Sequence, residues 1–122
     1  MILVDTSVWV DHLRSGDENL TRLLESSRVL MHPFILGEIA CGNLANRGPV
    51  LSLLAHLPRC TEALDTEVLA FIEHSKLMGR GIGFIDAHLL AATKLTGSAR
   101  LWTRDKRLAI VAQALGCHFS FD

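Results

Sequence analysis

Hydrophobic and polar positions follow two rhythms along this chain. Short continuous apolar runs alternate with segments whose apolar residues recur every three or four positions, the pattern of strands alternating with helices in an α/β fold. Ile2, Leu3 and Val4 make the first run, a short buried strand, and a helix is expected from about Ser7 to Leu13 that partly buries Val8, Trp9 and Leu13. "DENLTRLLESS" places Leu20, Leu23 and Leu24 on one helical face, with Asp17 near the cap. "RVLM" reads as the next strand. Pro33 suits the first turn of a helix through about Ala45, because its missing N–H is not needed there. Gly48 and Pro49 are expected to break the chain before a helix in "VLSLLAHL". "TEVLAFIEHSKLM" is a further amphipathic helix closed by "GRGIG", and "FIDAHLLAATKLTG" is a helix ending at Gly97. "ARLWT" reads as a strand, "DKRLAIVAQALG" as a helix and "CHFSF" as a last strand. There is no repeat and no long linker, so the expectation is one α/β domain over residues 1–122.

Composition adds limits rather than identity. With 122 residues, 49% of them hydrophobic, the chain has ample material for one core. No stretch of 18 apolar residues lacks a charge, and Asp5 interrupts the first apolar run with no basic segment before it, so neither a membrane helix nor a signal peptide is expected. Cys41, Cys60 and Cys117 are odd in number and lack metal-type spacing, which fits reduced thiols in a cytoplasmic protein. The six histidines are scattered without ligand spacing, and there is no phosphate-binding glycine loop after a strand.

Charge changes the picture through its distribution. The net charge of −1 argues against a constitutive high-affinity nucleic-acid binder. Residues 1–75, however, carry ten acids against five arginines, whereas residues 76–107 carry seven bases against Asp86 and Asp105 alone. A basic second half is either a solvated face or a surface for an anionic partner.

Four carboxylates stand out by position. Asp5 follows the first strand, Asp105 follows "ARLWT", and Asp86 opens an otherwise apolar helix. Glu38 has Phe34, Ile35, Cys41 and Gly42 as its helical neighbours, all apolar or small, so it is expected to point along the buried side of its helix. Each aspartate alone reads equally well as an N-cap. Jointly, three aspartates at strand-to-helix junctions and an inward glutamate favour a shared acidic site at the carboxyl ends of the strands. Carboxylates without nearby His or Cys suit hard cations such as Mg²⁺ or Mn²⁺, which can activate water for attack on a phosphodiester. Thr6, Ser7 and Thr103 are placed either to support such carboxylates or to make local turn bonds.

The segments "ILVDTSVWVD", "FILGEIACG", "GIGFIDAHLLAAT" and "LWTRDKRL" occur in an order and spacing that resembles the PIN-domain ribonucleases, and within them the VapC-like toxins of toxin–antitoxin pairs. The resemblance spans essentially the whole chain. It implies a PIN-like three-layer α/β fold with a central, mostly parallel sheet flanked by helices, and a Mg²⁺- or Mn²⁺-dependent endoribonuclease. It maps the catalytic, metal-holding site onto Asp5, Glu38, Asp86 and Asp105, with Thr6, Ser7 and Thr103 as nearby polar positions. It also implies a cognate antitoxin whose tail covers the active-site groove, an RNA substrate and a homodimer. On that footing Arg80 and Arg104, beside Asp86 and Asp105, are the preferred candidates for holding RNA phosphates, because arginine forks match phosphate geometry.

Three rival assignments frame the expectation. A receiver-type phosphoacceptor shows paired acids early and a late isolated lysine, which Glu38 and Asp105 fit poorly. A haloacid-dehalogenase-type phosphatase wants a second aspartate two residues after the first, where this chain has Ser7. A catalytically silent RNA- or antitoxin-binding module on the same fold is the remaining alternative, and retention of all four carboxylates argues against it.

Overall fold

The apolar run at residues 2–4 becomes the centre of the sheet. In the computed structural model, which describes residues 1–121, β1 (Ile2–Val4) lies between β2 (Val29–Leu30) and β3 (Arg100–Trp102), and all pairings are parallel. Ile2 pairs with Val29 on one side and Arg100 on the other, and Val4 pairs with Trp102. A parallel strand inside a sheet is covered on both faces, so it reads as an unbroken hydrophobic run, and all three β1 residues are buried. Single bridges extend both edges: Met31 pairs with Arg59 beyond β2, and Leu101 pairs with His118 beyond β3.

Helices α1 (Thr6–Ser15) and α2 (Glu18–Glu25) connect β1 to β2. Helices α3 (Pro33–Ala40), α4 (Arg47–Ala55), α5 (Asp65–Ser75) and α6 (Phe84–Leu95) carry the chain from β2 to β3, and α7 (Lys106–Ala114) follows β3. Helix α6 packs between α5 and β3, and its residues Ala87 to Thr93 are all buried. Three alanines in that stretch give α6 the small surface that close packing on two sides requires. Helix α3 packs against α1 and α4. The architecture is therefore an α/β fold with a parallel sheet among helices, as the pattern predicts. Among the described residues no helix is long and apolar enough to cross a membrane.

Several boundaries differ from the sequence expectation for identifiable reasons. Helix α3 stops at Ala40 rather than near Ala45, because the Arg47 guanidinium donates to the carbonyls of Ala40 (2.5 Å) and Gly42 (3.0 Å) and closes that end. Gly48 and Pro49 do not break the chain before α4. They sit in its first turn, where a missing N–H is harmless, and the break falls at Asn46 in a left-handed conformation. Helix α5 ends at Ser75, with Lys76 also left-handed. The last strand expected at residues 117–121 reduces to the single bridge at His118, held by hydrogen bonds of Leu101 to the carbonyl of Cys117 and of Phe119 to the carbonyl of Leu101.

Candidate active site

The carboxyl ends of β1 and β3 meet above the sheet, and Asp5 stands at that junction. Its backbone is the N-cap of α1, yet its side chain makes no capping bond. Instead Oδ2 of Asp5 accepts from the hydroxyls of Ser7 (2.7 Å) and Thr103 (2.7 Å), while its N–H donates to the carbonyl of Trp102. Asp5 is 8% exposed and Thr103 6%, so a buried carboxylate is met by a buried donor, as desolvation requires. Thr103 Oγ1 also accepts from the N–H of Asp105 (3.1 Å), and Ser7 Oγ accepts from the N–H of Arg104 (3.0 Å). These bonds lock the β1–α1 corner to the β3–α7 corner.

The other three carboxylates arrive on helices. Asp105 is the N-cap of α7 and accepts through Oδ1 from the N–H groups of Arg107 (2.9 Å) and Leu108 (3.2 Å), so the capping role weighed from sequence is real and uses one oxygen. Asp86, in the first turn of α6, accepts through Oδ2 from the N–H of Gly83 (3.0 Å). Glu38 on α3 accepts through Oε1 from the hydroxyl of Thr6 (2.7 Å). Glu38 is exposed, which corrects the expectation that it points along the buried side. Its neighbours Phe34, Cys41 and Gly42 are exposed with it, so a face with apolar and small neighbours need not be a core face.

A common design emerges. Each of the four carboxylates has one oxygen held by the protein, and among the described residues the other oxygen of each has no hydrogen-bond partner. The four also sense one another. Burial raises the pKa of Asp86 above the usual carboxylate value, the Gly83 N–H opposes this, and the negative charges of Asp5, Asp105 and Glu38 push it further up. The donor set is oxygen throughout, which suits a hard cation in kind. Among the described residues no three His, Cys, Asp or Glu side chains gather tightly enough to enclose an ion unaided.

The two arginines expected near RNA are placed differently. Arg80 is exposed in the 79–83 loop and pairs with no described residue. Arg104 is engaged: its guanidinium bonds Asp11 Oδ2 (2.5 Å) and Asp17 Oδ2, and it lies 5.7 Å from the Trp102 ring centroid. Burial works against the charges here. The Leu20 N–H and Arg104 nonetheless hold the Asp17 carboxyl below its ordinary value, and Asp17 and Asp11 raise that of Arg104. Arg104 thus ties α1 and the start of α2 to the β3–α7 corner.

Two buried histidines that have no ligand-like spacing belong to the helices that carry Glu38 and Asp86. His32 caps α3 by accepting from the Phe34 N–H (3.0 Å), and burial pushes its pKa down to about 4, which keeps the accepting nitrogen unprotonated. His88 on α6 bonds Asp65 Oδ1 (2.8 Å) and stands between the rings of Phe34 and Phe84, at 4.9 and 4.8 Å. Only three-dimensional packing could reveal these roles, since both residues have partners on other elements.

Comparison with known sequences bears on the same residues. The PIN domain family model matches residues 2–114, which include all four carboxylates. The chain belongs to the PIN-domain family. This PIN domain is 48% identical over 108 residues to Ribonuclease VapC32 of Mycobacterium tuberculosis, in the CDC 1551 / Oshkosh strain and in the ATCC 25618 / H37Rv strain alike. The matched region covers 88% of this chain and 87% of each relative. The expected resemblance to VapC-like PIN proteins therefore holds, and with it the α/β fold.

Proposed function

We propose that this PIN domain is an endoribonuclease, the toxin of a toxin–antitoxin pair, and that its activity depends on Mg²⁺ or Mn²⁺. Two supports are independent: the 48% identity to a protein named as a ribonuclease, and the chemistry of the site. The observation that carries the reading is the half-anchored state of Asp5, Glu38, Asp86 and Asp105, each with one oxygen fixed and one left over. Mg²⁺ commonly keeps several of its waters and takes only one or two protein carboxylates together with substrate phosphate, so a cation need not be enclosed by three side chains. When bound, the ion supplies Lewis acidity and offsets charge at the scissile phosphate.

The chain's own residues have distinct parts. Thr103 and Ser7 fix the Asp5 carboxylate through one oxygen and leave the second unbonded, and Thr6 does the same for Glu38. Asp86, held through one oxygen by the Gly83 N–H, would offer its other oxygen to the ion. Arg80 is the proposed contact for RNA phosphate, and Arg104 shapes the corner through its two acidic partners. A groove of about 550 Å³ runs between α1, α3 and α4, lined in part by Val10, Leu13, Ile39, Leu44 and Val50, and it includes Glu38. It is where the tail of a cognate antitoxin would lie, with Glu38 available to a basic side chain. A homodimer and a cytoplasmic site of action complete the proposal.

The test is cleavage of total RNA by the purified chain, freed of antitoxin, with Mg²⁺ or Mn²⁺, with EDTA, and beside Asp5→Asn. Metal-dependent cuts that vanish in the variant are expected. Cleavage that survives both EDTA and the substitution would overturn the assignment. Metal binding without cleavage would favour the silent binding module.

A further inference from the structure

Arg107 is an exposed base that the motif pattern did not single out. It lies in the first turn of α7, and its N–H is held by Asp105 Oδ1. Its guanidinium has no hydrogen bond or ion pair with any described residue. An arginine brings five donors in a planar fork, and beside acidic side chains it would ordinarily turn to one of them. This one does not, because its stem is seated elsewhere.

The seat is Gly81, at φ +80° in the 79–83 loop. A Cβ added at Gly81 would stand 2.6 Å from Cδ of Arg107, 3.0 Å from Nη1 and 3.2 Å from Nε, so the arginine lies directly on the bare glycine backbone. Two residues later the same loop reaches Gly83, whose N–H is bonded to Asp86. Arg107 therefore has its backbone tied to one site carboxylate and its side chain laid across the loop that leads to another. Holding a long side chain in advance removes part of the ordering cost of binding, and a fork with no protein acceptor is left for an anion. Arg104, three residues earlier, instead directs both terminal nitrogens of its guanidinium to Asp11 and Asp17.

We propose that Arg107, seated on Gly81, binds a backbone phosphate of the RNA strand next to the acidic site. The inference rests on the nuclease reading above. It assigns Gly81 a specific purpose: any larger residue both strains a left-handed backbone and fills the space the arginine stem occupies.

The experiment measures single-stranded RNA binding against salt in the Asp5→Asn background, and steady-state cleavage in the otherwise intact chain. Arg107→Ala is expected to raise KM about tenfold with kcat within about twofold, and to reduce the slope of log K against log salt by about 0.7, the value for one lost single-strand phosphate contact. Arg107→Lys should retain the slope and recover part of KM. Gly81→Ala keeps the charge but fills the seat, and should reproduce most of the KM rise. Arg22→Ala, an equal charge change on α2, should leave KM and slope alone. Wild-type KM and slope in Arg107→Ala, or an equal effect from Arg22→Ala, would overturn the proposal. An intact chain that neither binds nor cuts RNA would instead sink the nuclease reading, and this inference with it.

Discussion

Replacing Thr103 by valine removes one oxygen and almost nothing else. The side chain is 6% exposed and isosteric with valine, so no cavity opens and the loss is confined to its hydrogen bonds: those with Asp5 and Asp105 and a longer one, 3.3 Å, with the Ser7 hydroxyl. The bond to the Asp5 carboxylate, at 2.7 Å, has an ionic acceptor and is worth about 1.5–3 kcal/mol. The bond accepted from the Asp105 N–H, at 3.1 Å, is worth about 1 kcal/mol. Thr103→Val should therefore destabilise the domain by roughly 2–4 kcal/mol. With an unfolding entropy of about 2.1 cal/mol/K per residue, the middle of that range lowers Tm by roughly 10 °C. Urea unfolding monitored by circular dichroism measures it, and the m-value should not change. Thr103→Ser keeps the hydroxyl and should lose only about 1 kcal/mol for its methyl group. A double-mutant cycle with Asp5→Ala should give a coupling of about 2 kcal/mol. A Thr103→Val protein within about 0.5 kcal/mol of wild type, or strict additivity with Asp5→Ala, would refute the idea that this hydroxyl holds Asp5.

The remaining predictions probe the other carboxylates and the arginine latch. Because the Asp86 pKa is raised in the fold by burial and by Asp5, Asp105 and Glu38, stability linked to it is present in acid and lost as pH rises through the folded value. Asp86→Asn should raise Tm in neutral, metal-free buffer while removing cleavage, and the gain should shrink toward acid; an unchanged or lower neutral Tm would count against it. Glu38→Gln keeps an acceptor for Thr6 on an exposed helix face, so stability should move by less than about 0.5 kcal/mol. RNA cleavage by that variant should nevertheless fall by about 100-fold or more, each tenfold being 1.36 kcal/mol of barrier. Arg104→Ala breaks two partly exposed ion pairs and should cost about 1 kcal/mol at low salt, with the cost fading near 1 M salt. An equal loss at both ionic strengths would mean that packing on Trp102 dominates.

The parts of this structure legible in the sequence are those encoded locally. The β1 run is apolar because the central strand of a parallel sheet is covered twice. Asp5 is conspicuous because it ends an apolar run and Asp105 because it follows the strand "ARLWT", and Pro33 marks a helix start. What the sequence hides depends on partners far along the chain. The bridge at Arg59 is a single residue without a pattern, and the end of α3 is set by Arg47, which no local rule couples to it. The apolar neighbours of Glu38 suit a groove as well as a core. Asp11 and Asp17 approach Arg104 only after the chain folds, and nothing local to Arg107 signals that Gly81 will lie beneath it.

The pairing of Ile2 with Arg100 has a temporal side. Residue 2 finds Val29 soon after it is made, but waits for most of the domain before Arg100, its neighbour on the other side, exists. Until β3 docks, Asp5 lacks Thr103 and the corner that carries Asp105 has no place to settle. Parallel strands so far apart in sequence close late, since the long loop between them must be ordered first. A nascent or truncated chain that ends before Thr103 therefore cannot assemble the acidic cluster. Under the reading proposed above, a protein that captures the segment before β3 is made would act before the site exists.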